Sequence, residues 1–92
     1  MSDMTAVDAR ITGRVQGVSF RAWTCGEAQA RGLSGWVRNE ADGTVSAHFS
    51  GPADRVSEMV DALHRGPPAA RVEAVQTQPA QTAATGTFEI LR

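Results

Sequence analysis

Little in this 92-residue chain offers a covalent or metallic framework. Cysteine occurs once, at Cys25, which excludes an internal disulfide and a cysteine zinc cluster and suits a reducing compartment. Lysine is absent, and nine arginines against ten acidic residues leave a formal charge of −1. That balance argues against broad nucleic-acid or anionic-membrane binding, which draws on a basic excess to displace counterions. Aromatic residues make up only 5% of the chain, so Trp23 and Trp36 do not amount to a base-stacking sheet, which needs aromatics on two central strands in basic surroundings. No apolar run exceeds a few residues, and Met1-Ser2-Asp3-Met4 has no basic region leading into an apolar one. Neither a membrane span nor a secretory leader is read, and the expected location is the cytoplasm. The length suits a single domain over residues 1–92.

What is present is clear alternation. Val7, Ala9 and Ile11 alternate with Asp8, Arg10 and Thr12, the pattern of a strand with one buried face, expected to end near Gly13. A glycine-containing turn leads into a helix over 20–31, whose apolar face is poorly resolved although Phe20, Trp23, Thr24 and Ala28 form one stripe. Gly32 is a suitable stop. A strand from Leu33 to Asn39, the Asp42-Gly43 turn and a strand from Thr44 to Ser50 predict a hairpin, with Val45, Ala47 and Phe49 facing the core. Gly51-Pro52 is expected to break that strand. Val56, Met59, Val60 and Leu63 then mark the clearest helix, which Gly66-Pro67-Pro68 ends. Val72 and Val75 lie in a fourth strand, Ala70 to Thr77, of uncertain register, and Gln78 to Gly86 reads as a polar loop. Thr87 to Leu91 is short enough to be a closing strand, with Phe88 and Ile90 on one side. This order predicts an α+β fold, a ferredoxin-like α/β plait of βαββαβ type whose mainly antiparallel sheet carries two helices on one face.

Chemistry is expected at the junction of the first strand and first helix. Gln16, Gly17, Val18, Ser19, Phe20 and Arg21 bring successive backbone N–H groups to a helix start, where the first donors lack partners and the dipole is positive. Gly17 allows close backbone approach, and the Arg21 guanidinium can hold a phosphoryl group through two parallel hydrogen bonds. Read alone, a glycine turn before an arginine is usually only a turn. The Gly-Lys-Ser/Thr ending of a nucleotide P-loop is missing, which argues against ATP or GTP hydrolysis.

The stretch Gly13-Arg14-Val15-Gln16-Gly17-Val18-Ser19-Phe20-Arg21 resembles the first signature of the acylphosphatase family. Gly35-Trp36-Val37-Arg38-Asn39, followed after three residues by Gly43-Thr44-Val45 and after five more by Gly51, resembles the second. The similarity extends through Thr24, Ala28, Gly32-Leu33, Pro52, Gly66-Pro67 and Phe88-Glu89-Ile90, and it is weakest over 78–86. It implies hydrolysis of acyl phosphates to carboxylate and inorganic phosphate without metal or other cofactor. By motif position it implies that Arg21 binds the phosphoryl group, that the Gln16 to Arg21 amides form the cradle, and that Asn39 positions the attacking water. The residues agree with those roles. Asn39 shares parity with Val37, so if Val37 faces the helices then Asn39 points toward the layer that holds the turn. Its amide is a poor base but can orient a water, and a carboxylate leaving group needs no protein acid.

The expected partners are a small acyl phosphate as substrate and inorganic phosphate or a similar anion as product or inhibitor. No nucleic acid or membrane is expected, and the chain is expected to act as a monomer. Without the paired motifs, Asn39 reads as a strand-end or turn residue. His48 and His64 read as surface or helix-end groups, Cys25 as a packing residue, and Arg14 as a solvated turn residue. A non-catalytic phosphate or acyl-phosphate binding module on the same fold is the alternative. A carbamoyl-phosphate-handling module, of the kind fused to larger maturation enzymes in related proteins, is disfavoured on the expectation that this chain holds one domain.

Overall fold

The computed structural model describes residues 3–82 and 86–91. Its elements run β1 (Met4–Arg14), α1 (Phe20–Ala30), β2 (Ser34–Asn39), β3 (Val45–Pro52), α2 (Ala53–Arg65), β4 (Arg71–Pro79) and β5 (Phe88–Ile90). They form one five-stranded sheet in the order β4-β1-β3-β2-β5. Every neighbouring pair is antiparallel except β2 with β5, which run parallel. This is the expected α+β plait, and the alternating strands build it directly. Ile11, Val37, Val45 and Phe49 turn one sheet face toward the helices and are fully buried. Phe20, Thr24 and Ala28 of α1 and Val56, Met59 and Leu63 of α2 close over them. Each large side chain buried there stabilises the fold by about 1.5–3 kcal/mol. Phe88 of β5 stacks on Phe49 with ring centroids 5.4 Å apart, which ties the last strand to the core.

Two expectations change. The β3 strand does not break at Gly51-Pro52: Gly51 pairs with Thr5 and Pro52 with Met4. Gly51 serves close packing there, because a Cβ would come within 2.6 Å of Leu33 Cδ2. Pro52 occupies the strand's last position, with extended φ and ψ of −58° and 138°, and α2 begins after it. The fourth strand extends to Pro79, taking Gln78 and Pro79 out of the expected loop. The edge position of β4 tolerates a proline. Of that loop, residues 83–85 lie outside the described residues.

The uncertain register of β4 has a physical cause. Thr12 faces Ala74 but Gly13 faces Val72, so Glu73 is an extra residue in a β-bulge. The bulge lets Val72 and Val75, three apart, both pack against the core. It also requires Gly13, whose φ is 118° and whose Cβ would collide with the Arg71 carbonyl oxygen. No helix among the described residues is long and apolar enough to cross a membrane.

Candidate active site

The loop from Val15 to Ser19 is anchored at both ends by apolar side chains. Val15 and Phe20 are each 1% exposed, so the chain between them must arch over the core. Two residues make the arch with left-handed backbone: Gly17 at φ 74° and Ser19 at φ 61°. Turns of this kind direct successive N–H groups to one side and create an anion-binding concavity. A Cβ on Gly17 would meet nothing within 4 Å, so the loop has open space on that side.

That arch leads straight into α1, whose N-terminus is bare. The Ser19 carbonyl accepts the first helical hydrogen bond from Trp23, but its hydroxyl makes no cap, and the first turn carries no acid. The first N–H groups of the helix therefore have neither a side-chain acceptor nor a compensating carboxylate.

A cavity of about 510 Å³ opens here, bringing together Gly17, Ser19, Phe20, Arg21 and Asn39. Among the described residues, Arg21 is the sole charged side chain lining it. The guanidinium is held by the far end of the chain, where Arg21 Nη1 donates to the Leu91 carbonyl at 3.4 Å. Asn39 is the last residue of β2, and Val37 two positions earlier is fully buried on the helix side. Asn39 Oδ1 is buried and has no hydrogen-bond partner. A buried acceptor left unmatched costs about 1–3 kcal/mol.

The other carboxylates and histidines lie elsewhere. Glu40 follows Asn39 but its carboxyl is held below the ordinary value by the Ser46 hydroxyl and the Arg38 guanidinium, on the sheet face without helices. His48 Nδ1 meets Asp8 Oδ1 at 2.8 Å, and its ring stacks near Trp36. His64 Nδ1–H donates to the Val60 carbonyl within α2. Cys25 is half-buried, and its thiol donates weakly to the Phe88 carbonyl at 3.8 Å. Among the described residues, no three His, Cys, Asp or Glu side chains come together as a cation site.

Gln16 and Val18 stand apart from the other expected residues. Val18 packs against the hydrophobic core. The Gln16 side chain turns away from the cavity, and its Nε2 donates to the Glu40 and Thr44 carbonyls at 2.8 and 2.9 Å. Sequence reasoning also missed Val15, Ala22 and Ile90, which complete the lining, and the Leu91 carbonyl. Val15 continues the odd-numbered alternation of β1, and Ile90 shares parity with Phe88, so a faint signal existed for both. No local pattern announces a backbone carbonyl 70 residues from its arginine.

Comparison with known proteins gives concordant results. The family model described as Acylphosphatase matches residues 7–90. An acylphosphatase of Rhizobium etli is 55% identical over 82 residues, covering 88% of this chain and 87% of that one. The structure of an acylphosphatase from Coxiella burnetii superposes with a TM-score of 0.93 at 29% identity, covering 97% of this chain and 94% of the other. The crystal structure of acylphosphatase from Bacillus subtilis gives 0.90 at 31% identity, with 96% and 99% covered.

Proposed function

Since this chain belongs to the acylphosphatase family and hydrolyses acyl phosphates, we propose that Arg21 grips the phosphoryl group while Asn39 orients the attacking water. The observation that carries this reading is that Asn39, whose buried Oδ1 has no hydrogen-bond partner, lines the same cavity as Arg21 and the start of α1. The phosphoryl oxygens lie in the concavity made by Gly17, Ser19 and the first amides of α1, with the guanidinium neutralising their charge. A water donates one proton in a hydrogen bond to Asn39 Oδ1, which aims its lone pair at phosphorus. As the new P–O bond forms, the bond to the acyl oxygen breaks, and the carboxylate leaves with the electron pair. The water's proton passes to a phosphoryl oxygen, giving inorganic phosphate. The leaving carboxylate is stable at neutral pH, so positioning and charge stabilisation carry the step. Among the described residues no acidic side chain lines the cavity, which fits this division of labour.

Positive charge comes from Arg21 and the backbone, so the reaction is expected to need no metal. Residues 1–92 act as one acylphosphatase domain and as a monomer, cleaving a mixed anhydride. The near-neutral charge supports a reading without nucleic acid or membrane, and the single cysteine supports a cytoplasmic location.

Release of inorganic phosphate from a simple aromatic acyl phosphate, with chelator present, tests these roles. Arg21→Ala is expected to lower kcat/KM by about 10³-fold and to weaken inhibition by phosphate. Asn39→Ala is expected to lower kcat by about 10²-fold with phosphate inhibition intact. Equal defects in both parameters for both variants would refute the assignment. Tight phosphate binding by the wild-type chain with turnover at the uncatalysed rate would favour a binding module instead.

A further inference from the structure

The cradle and the water-orienting residue come from separate parts of the fold, and hydrolysis depends on the distance between them. The ends of the cradle loop are fixed by Val15 and Phe20 in the core, but its middle has left-handed residues and belongs to no strand or helix. Asn39 is at the mouth of the β2–β3 hairpin. Gln16 joins the two. Its Nε2 has two N–H donors and spends both on the hairpin, at the Glu40 and Thr44 carbonyls. These residues are themselves bonded to each other, Glu40 N–H donating to the Thr44 carbonyl at 2.9 Å. Glu40 directly follows Asn39, and Thr44 precedes Val45, the residue paired with Asn39. One amide group thus holds both strands at the level of Asn39.

We propose that Gln16 is the positioning residue that sets Asn39 against the phosphate cradle. It touches neither phosphate nor water; it fixes where the water stands relative to phosphorus. The inference rests on the roles given above to Arg21 and Asn39. A reacting pair displaced by about 1 Å can lose about 10²-fold in rate, so a side chain that governs only this spacing affects turnover more than binding.

The test measures kcat with an aromatic acyl phosphate and competitive inhibition by inorganic phosphate, for Gln16→Leu, Gln16→Glu and Asn39→Ala. For Gln16→Leu, kcat is expected to fall about tenfold or more while the inhibition constant of phosphate stays within about threefold. Gln16→Glu places a carboxylate against two carbonyl oxygens and is expected to be worse at neutral pH. Relative to wild type it regains rate as pH falls, because the protonated carboxyl donates one hydrogen bond. The nearby charged groups Glu40, Asp42 and Arg14 are common to both proteins, so the ratio cancels their contributions.

Turnover and phosphate affinity falling together would show that Gln16 merely shapes the cradle, and an unchanged kcat would show that it shapes nothing; either overturns the proposal. If Gln16→Leu fails to fold, judged by circular dichroism, absence of the low-pH recovery in Gln16→Glu overturns it. Full turnover in Asn39→Ala removes the functional reading and this inference together. An inactive Asn39→Ala beside a fully active Gln16→Leu removes this inference alone.

Discussion

The two helices cover the same sheet face, yet their first turns are finished in opposite ways. Helix α2 carries Asp54 in its first turn and Arg65 in its last, each sign matched to the helix dipole. Helix α1 has no acid in its first turn, although Arg31 at its C-cap donates to the Glu27 carbonyl, and neither helix has a side-chain hydrogen bond from its N-cap residue. The well-finished helix packs away from the cavity, whereas the unfinished one opens into it. Without a first-turn acid, α1 keeps an uncompensated positive end, which on the proposed reading receives the phosphoryl group. On that reading local stability is given up where an anion binds, as functional sites commonly require.

Filling the cradle tests that contrast most severely. Gly17→Val places a β-branched side chain at φ 74°, costing about 1–2 kcal/mol in backbone strain, and projects it into the open space of the cradle. A fall in kcat/KM of about 10²-fold or more, together with lost phosphate inhibition, is expected. Normal phosphate binding by that variant would mean that the cradle has another geometry.

Giving α1 the finish of α2 is the more discriminating change. Ser19→Asp supplies the absent carboxylate at a position where the left-handed backbone tolerates aspartate. The thermal midpoint is expected to rise, by about 0.5 kcal/mol in stability, while kcat/KM drops by about tenfold through repulsion of the phosphoryl group. Stability and activity moving in the same direction would refute the contrast. The reciprocal change, Asp54→Ala in α2, is expected to lose about 0.5 kcal/mol in chemical denaturation and to leave kcat/KM unaltered.

The smallest expected effect concerns the hairpin that carries Asn39. Asp42 accepts hydrogen bonds from the Thr44 hydroxyl at 2.7 Å and the Thr44 N–H at 3.0 Å. These bonds favour the carboxylate and hold its pKa below the ordinary 3.8. Folding is therefore stabilised by this group above about pH 4, and the contribution fades as pH falls through the lowered folded value. A Tm series from pH 6 to about pH 2 is expected to show wild type and Asp42→Ala converging at the acid end. A constant Tm difference across that range would contradict the assignment.

Much of this was legible in the residues. Val7-Ala9-Ile11 and Val45-Ala47-Phe49 announce half-buried strands, and the stripe of α2 is clean because its role is packing. The stripe of α1 is blurred for a physical reason: Thr24 is fully buried within it, so hydropathy alone does not outline the face. The register of β4 was hidden because the bulge at Glu73 replaces alternation with a three-residue step. At the site, Arg21, Asn39 and Gly17 belong to short motifs and could be read in place. The destination of the Gln16 side chain, 24 and 28 residues away, depends on how two loops meet in space.

The contact from Arg21 to the Leu91 carbonyl links positions 70 residues apart, and it is β5, laid parallel to β2, that brings them together. Contacts of such sequence separation form late, because a long loop must close before they repay its entropy. During synthesis the sheet can begin to assemble well before residue 91 has left the ribosome, but Arg21 reaches its final setting only afterwards. Onset of phosphate release in a refolding or translation experiment would therefore mark the docking of the last strand, a signal that compaction and secondary structure would both precede.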